Sequence, residues 1–529
     1  MPDPTATRPE RGRRVPRIVL AACLAFGALG AIWSVVAPLG EAPDEPAHLA
    51  LVLHLADGGS YPDFDELHNQ VAILRLCRTY AAATRACPRE GEEVTATSIR
   101  RHPRAEAPAA ADRPAWDDAG GDERLGQLNQ MPQHPPLYYE AMATVLRIER
   151  GLGGGPWSTD RELALLRLVN VALVAPLPLV CWWAARRFGL DDATGAIAAV
   201  AVLGLPMLAH IGSTLNNDNL LTLLGAVLMA LLAGVVRGDR SWRTAVLVGV
   251  VTALALLTKA FAAVFPPVVL VAYLVGLRRA ALRPLVVAGG ATLVGAGWWY
   301  LRVRSRTGSF APSIETRRLT SELQPPGFSP DALGFLGELT SKLDQRFWGS
   351  FGWYTVRVSW WWALLATVAV AAAVLTAMAP RGEPGEPTRL QRAVLLLPFL
   401  ALGAFVSLRA WRLYATTSTF PFIQGRYLFA GLAGLLVLVA VGVARWSARW
   451  GLVGTLGAAA VLQGHALRRA LADWWGGPGL GPRGQVRALV AWSAWPGALL
   501  GLLAVATVVA AAWLVAEAVR SRPVGSDAA

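Results

Sequence analysis

The sequence predicts an all-α polytopic membrane protein, and three observations carry that prediction. Hydrophobic residues make up 54% of the 529-residue chain and charged residues only 16%, with a mean hydropathy of +0.41, a balance unlike that of a soluble globular domain. The apolar residues are gathered into runs of roughly 17 to 25, the length that crosses a hydrocarbon core. The excess of 49 Lys and Arg over 36 Asp and Glu falls in short clusters between those runs, as loops on the cytoplasmic side require. The net charge of +13 is therefore spread along loops, and a nucleic-acid partner is not expected.

About twelve spans follow from length and charge. They lie near 17–38, 163–184, 193–211, 219–236, 244–259, 261–277, 283–301, 359–379, 392–409, 427–444, 450–466 and 492–517. Five arginines between Arg8 and Arg17 precede the first span and hold the tail, residues 1–16, in the cytoplasm. Strict alternation then puts Arg186, Arg237, Arg278, Arg381, Arg445 and Arg520 on that same side; Arg302, Arg304, Arg306, Arg468 and Arg469 are the exceptions. The first span is long for a signal-peptide core, and Ala37-Pro38-Leu39-Gly40-Glu41 is a poor cleavage site, so it is expected to stay. Residues 17–529 read as one transmembrane domain in the plasma membrane with both termini cytoplasmic. The outer face receives a loop at 40–160, a second at 302–359 and a polar stretch at 409–426, and the functional chemistry is expected there.

The first outer loop opens on Glu41-Ala42-Pro43-Asp44-Glu45-Pro46-Ala47-His48. Carboxylates crowded at a water-lipid boundary share a proton or a divalent cation, which is what a general base needs. The plainer role for Asp44 is N-cap of a helix over 44–56, with Pro46 in its first turn and leucines laid along the membrane. Cys77 and Cys87 lie ten apart in this loop, a spacing that leaves a disulfide and two free thiols both open. The histidines show no zinc-site spacing. The loop closes with Gln133-His134-Pro135-Pro136-Leu137-Tyr138-Tyr139, where the prolines start a short juxtamembrane helix to Arg150. Its tyrosines suit an interfacial belt, as do Trp348, Trp353 and Trp360 to Trp362, which can also stack on sugar.

Further along, Asn216-Asn217-Asp218-Asn219 is more polar than a helix cap needs. Lys259 ends the fifth span, where an ammonium either snorkels to water or faces a phosphate. Arg426, in Gln424-Gly425-Arg426-Tyr427, offers the planar fork that pairs with phosphate oxygens.

Taken in order, Pro43 to His48, His134 to Tyr139, Asn216 to Asp218, Phe347 to Trp353 and Gln424 to Tyr427 resemble a polytopic membrane family of unknown function related to the C-type glycosyltransferases. That superfamily includes protein O-mannosyltransferases, aminoarabinose transferases and arabinosyltransferases. The resemblance spans 37–428. It implies transfer of a sugar from a polyprenyl-phosphate donor to a glycan, lipid or protein acceptor at the outer face, with inversion. It implies Asp44 as catalytic base with Glu45 beside it, and Asp218 as a second acid. Lys259 and Arg426 would hold donor phosphate, with His134 and Tyr138 near the substrate pocket. A divalent Mg, Mn or Ca ion bridging Asp44 and Asp218 suits oxygen-only ligands. The competing class is a lipid-linked saccharide transporter without catalysis, whose polar groups would sit in broken helices at the midplane. A structural envelope protein that keeps the fold without activity is the third.

Overall fold

The computed structural model describes residues 14–81, 107–153, 157–314, 326–447, 450–477 and 479–520. Cys87, His102 and the tail arginines before Arg14 lie outside them. In order, the helices are α1 (Arg17–Val36), α2 (Glu45–Ala56), α3 (Val71–Tyr80), α4 (Leu137–Gly151), α5 (Thr159–Val174), α6 (Leu177–Arg187), α7 (Asp192–Ala201), α8 (Pro206–Gly212), α9 (Asp218–Val236), α10 (Trp242–Thr258), α11 (Phe265–Leu277), α12 (Leu282–Thr307), α13 (Ala332–Trp348), α14 (Trp360–Met378), α15 (Arg389–Thr417), α16 (Leu432–Trp446), α17 (Gly451–Trp475), α18 (Pro482–Trp492) and α19 (Gly497–Arg520). Two short antiparallel ladders accompany them: β1 (His68–Gln70) with β2 (Arg124–Leu128), and β3 (Ser350–Phe351) with β4 (Val356–Arg357).

The chain is a multi-pass membrane protein, and each of the dozen expected spans coincides with helix. By length and composition, eight stretches among the described residues can cross a bilayer, or nine if α7 and α8, bent by 72° where Pro206 interrupts the backbone ladder, form one span. The shortfall from twelve has physical sources. α10 is only 17 residues long. α11 and α12 belong to one 48-residue stretch, about 70 Å of helix, more than twice the bilayer core, which divides into two crossings at the 278–281 turn. α17 carries Gln463, whose amide accepts from Trp33 Nε1 and donates to the Leu203 carbonyl, so it exchanges apolarity for bonds between helices.

α9 and the Gly425–Trp446 stretch form the centre, with 78% and 89% of their apolar windows buried, while α14 and α19 have 17% and 11%. Leu375, Leu502 and Val508 on those outer helices are left for lipid. α9 also separates two polar faces, Asp218 at its first turn and Arg237 just past its last, nearly 30 Å apart at about 1.5 Å per residue. Near its C-terminal end Arg187 pairs with Asp239 at 2.5 Å, Arg445 with Glu386 at 2.5 Å, and Arg392 with the same Glu386. Its N-terminal end meets the loop that follows α1. The segments that alternation groups together in the sequence are thus grouped in space.

Two expectations about the first loop are overturned. α2 does not lie along a membrane surface: Leu49, Ala50, Leu51, Val52, Leu53 and Leu55 are all at 0% exposure, because a helix apolar on every side is stable only when enclosed. Tyr138 and Tyr139, on α4 packed against it, are also at 0% and anchor nothing at an interface. Trp360 and Trp361, 68% and 47% exposed, fit the aromatic belt. Cys77, at the end of α3, is in a disulfide; Cys23 and Cys181 are free thiols.

Candidate active site

Asp44 is the residue on which α1 turns into α2. Its backbone is left-handed, φ 65°, a conformation Asp tolerates better than most residues. It holds the N-cap position, yet its side chain makes no capping bond. Instead Oδ2 accepts from Arg426 Nη2 at 2.6 Å and Oδ1 from Gln130 Nε2 at 3.1 Å. The sharp turn thus frees the carboxylate from the helix and points it at a distant part of the chain.

Glu45, its neighbour, faces the other way. It is fully buried with Arg167, which donates to both carboxylate oxygens at 2.8 and 2.6 Å, and the backbone amides of Gly40 and Leu215 donate at 3.0 and 3.1 Å. Arg167 also binds the carbonyls of Ser34, Ala37 and Pro38 at the end of α1. Glu45 therefore ties α1, α5 and the 213–219 turn together, and it does not line the cavity that Asp44 faces. The placement beside Asp44 that the resemblance implies is met in sequence but not in space. Arg167 carried a signal that the sequence reading passed over, since a charge inside an apolar span needs a buried partner.

The Asn-rich island proves to be both cap and brace. Asn216 Oδ1 accepts from the Asp218 amide at 2.8 Å, satisfying the first free N–H of α9 from the residue before the N-cap Asn217, whose own side chain makes no capping bond. Asn219 donates to Asn170 Oδ1 and to the carbonyls of Ile211 and Thr214. Asp218 is left to meet cations: Lys259 Nζ lies 2.5 Å from Oδ1 and Arg426 Nε 3.4 Å from Oδ2. Arg426 is thus a bridge between the two aspartates, further fixed by the Pro43 carbonyl at 3.2 Å. Its placement depends on Gly425, where a Cβ would collide with the backbone of Phe347 at the end of α13.

Asp44, Lys259, Arg426 and His134 open on one cavity of about 350 Å³. Asp218 is behind Lys259 and Arg426, and Tyr138 is turned away, donating to Asn170 Oδ1 at 2.9 Å. Among the residues missing from the sequence reading are Gln130, which orients Asp44, and Arg409, which faces the Phe422 ring at 4.1 Å and donates to Ser313 Oγ at 3.0 Å. Phe261, Phe405, Phe422 and Tyr427 form an apolar wall, with Lys259 Nζ 4.8 Å from the Phe261 and Tyr427 rings. Their signal was weak, since aromatics near span ends usually mean a belt. His48 Nδ1 shares a hydrogen bond of 2.9 Å with the Tyr139 hydroxyl. Burial, then the charges of His134, Lys259 and Arg426, holds His48 well below the ordinary 6.5. Burial, then Lys259, Arg409 and Arg426, does the same for His134. Both are neutral at pH 7, so among the described residues the cavity lining counts three cations against the single carboxylate of Asp44, with Asp218 just behind. That balance suits an anion beside an apolar chain.

A metal ion held by Asp44 and Asp218 fits poorly. Among the described residues no group of three or more His, Cys, Asp or Glu can hold one, and both carboxylates already face Arg426. A divalent ion would have to displace that guanidinium without a third protein acid to complete its shell.

These features define a polytopic helical membrane protein with a cation-rich, half-aromatic cavity at one end of its central helix. The chain belongs to the family of predicted membrane proteins DUF2142, which matches residues 26–461. No curated protein matches it. Among solved structures it is similar to ArnT from Cupriavidus metallidurans bound to undecaprenyl phosphate, 19% identical, covering 73% of this chain and 68% of that one, with a TM-score of 0.39. It is also similar to the Archaeoglobus fulgidus oligosaccharyltransferase in the apo form, 11% identical, covering 90% and 60%, TM-score 0.43. The same oligosaccharyltransferase in complex with Zn and sulfate matches at 13% identity, covering 69% and 49%, TM-score 0.36.

Proposed function

We propose that the protein is a glycosyltransferase of the plasma membrane, moving a sugar from a polyprenyl-phosphate donor to an envelope acceptor in this cavity, on the extracytoplasmic side. Residues 17–529 would act as a single transmembrane domain. The observation that carries the reading is Asp44: a carboxylate turned out of its helix, 16% exposed at the side chain, on a cavity that also presents Lys259, Arg409 and Arg426. The donor class comes from the motif resemblance, and the aromatic wall gives its isoprenoid a surface to lie on.

In the reaction the donor phosphate takes the guanidinium of Arg426 and the ammonium of Lys259. Asp44 Oδ2 is then free to accept the proton of an acceptor hydroxyl as that oxygen attacks the anomeric carbon. The bond between that carbon and the phosphate oxygen breaks, the polyprenyl phosphate leaves with the electron pair, and the cations stabilise its charge. Attack opposite the leaving group inverts the centre. A transporter without catalysis is disfavoured by the grouping of these charges at one end of α9. Incubating the purified chain with labelled undecaprenyl-phosphate sugars and a cell-envelope extract tests the reading. Transfer that Asp44→Asn abolishes is the expected result, and label moved across a bilayer with no product formed would replace the enzyme by the carrier.

A further inference from the structure

We infer that the acceptor is a neutral or amine-bearing saccharide chain, held in a polar groove that leads away from the cavity across the first outer loop. The inference rests on the transferase reading and adds the acceptor class to it. Two hollows adjoin the cavity in series. The nearer, about 150 Å³, shares Gln133 and Pro312 with the cavity wall and passes between the 62–66 turn and the end of α12. The farther, about 490 Å³, shares Pro62 and Glu66 with the nearer and lies over the β1–β2 ladder. Among the described residues the aromatic lining is Phe64 in the nearer hollow and Trp116 in the farther, short of the four-ring wall that would suit a lipid tail.

Gln70 marks the farther hollow as a binding site. It lines the hollow, is 7% exposed, and its Oε1 has no hydrogen-bond partner. Its position opposite Arg124 in the ladder fixes it there. A buried amide oxygen left unpaired beside a polar hollow is matched by a ligand hydroxyl or amine. Among the described residues the ionisable side chains lining it are Asp57, already paired with Arg150, and Glu66 and Asp122 against Arg124, with His54 and His68, while the nearer hollow sets Asp63, Asp65 and Glu66 against Arg302 and Arg306. Carboxylates accept from sugar hydroxyls and ammonium groups and repel phosphate- or uronate-bearing polymers. A peptide is less well served, because the described residues of the lining offer no open apolar pocket for side chains: Leu67 and Trp116 are 7% and 4% exposed.

The test uses the full chain in lipid nanodiscs, probed on an array of neutral, amine-bearing and anionic oligosaccharides together with peptides, while undecaprenyl-phosphate binding is measured in parallel. Binding to neutral or amine-bearing glycans is expected, weakened about fivefold or more by Gln70→Leu, the scale of one lost hydrogen bond. Asp122→Asn, at an exposed position where folding is not at stake, should weaken the amine-bearing glycans in particular. Both variants should keep wild-type affinity for undecaprenyl phosphate. No glycan signal, signal on anionic glycans or peptides alone, or glycan binding that both variants leave unchanged overturns the inference. Loss of undecaprenyl-phosphate binding by the wild type, with glycan binding intact, would fault the donor site instead.

Discussion

Replacing Asp44 with Asn should abolish transfer and at the same time tighten the grip on the donor phosphate. Arg426 reaches Asp44 at 2.6 Å, with side chains 2% and 16% exposed, so an arriving phosphate must take the guanidinium from a competing carboxylate. A hydrogen bond to a charged group is worth about 1.5 to 3 kcal/mol and one between Arg426 and a neutral amide somewhat less, so the substitution removes about 1 to 2 kcal/mol of competition. The expected change is a Kd for undecaprenyl phosphate lower by about five- to thirtyfold. Removing the negative charge beside the phosphate acts in the same direction. Isothermal titration of the chain in nanodiscs, with and without a chelator, measures it, and a transfer assay on the same preparation follows the base. A Kd raised by tenfold would refute the argument, since it would mean that Asp44 helps to hold the phosphate, as a metal ligand does. Arg426→Ala should act oppositely, weakening the same binding by about 1.5 to 3 kcal/mol.

Glu45→Gln should act on stability, because it leaves Arg167 buried without its counter-charge. A cost of about 3 to 5 kcal/mol is expected, read as a large drop in Tm, and a variant as stable as the wild type but inactive would make Glu45 a catalytic group after all. Gly425→Ala forces Cβ onto the Phe347 backbone and should cost about 1 to 3 kcal/mol together with donor affinity; unchanged binding would show that Arg426 does not depend on this contact. His48 and His134 are held below their unfolded value near 6.5. Their neutral burial therefore favours the fold fully above pH 6.5, and that contribution is lost as pH falls from there toward the lower folded values. Thermal melts at pH 7.5 and 5.5 should differ more in the wild type than in His48→Gln; an equal acid sensitivity in the two would assign the effect elsewhere.

How the site could be read in advance differed from residue to residue. Asp44, Lys259 and Arg426 stood out because a charge at the end of an apolar span has few reasons to be there, and the three do meet across one cavity. Glu45 stood out for the same reason and is engaged by Arg167 away from the cavity, since the left-handed backbone of Asp44 turns its carboxylate elsewhere. Tyr138 was close in sequence to His134, yet its hydroxyl is taken up by Asn170 and it does not line the cavity that His134 does. Gln130 carried no signal, being an ordinary amide in a loop, and Arg409 carried the same signal as Lys259 but shared it with Arg412 in one polar stretch, so that nothing local singled it out.

By itself the sequence determined the class of fold, the approximate limits of the helices and the grouping of Arg187, Arg237 and Arg445 toward one end of α9. Those properties depend on the transfer of apolar runs into lipid and on the placement of arginine, and both are summed locally along the chain. Tertiary structure alone decided that α2 and α4 are enclosed, that Arg426 lies between two aspartates, and that Glu45 braces α1 against α5. These are relations between residues such as Asp44 and Arg426, 382 positions apart, and only packing of the intervening helices brings such groups within bonding distance.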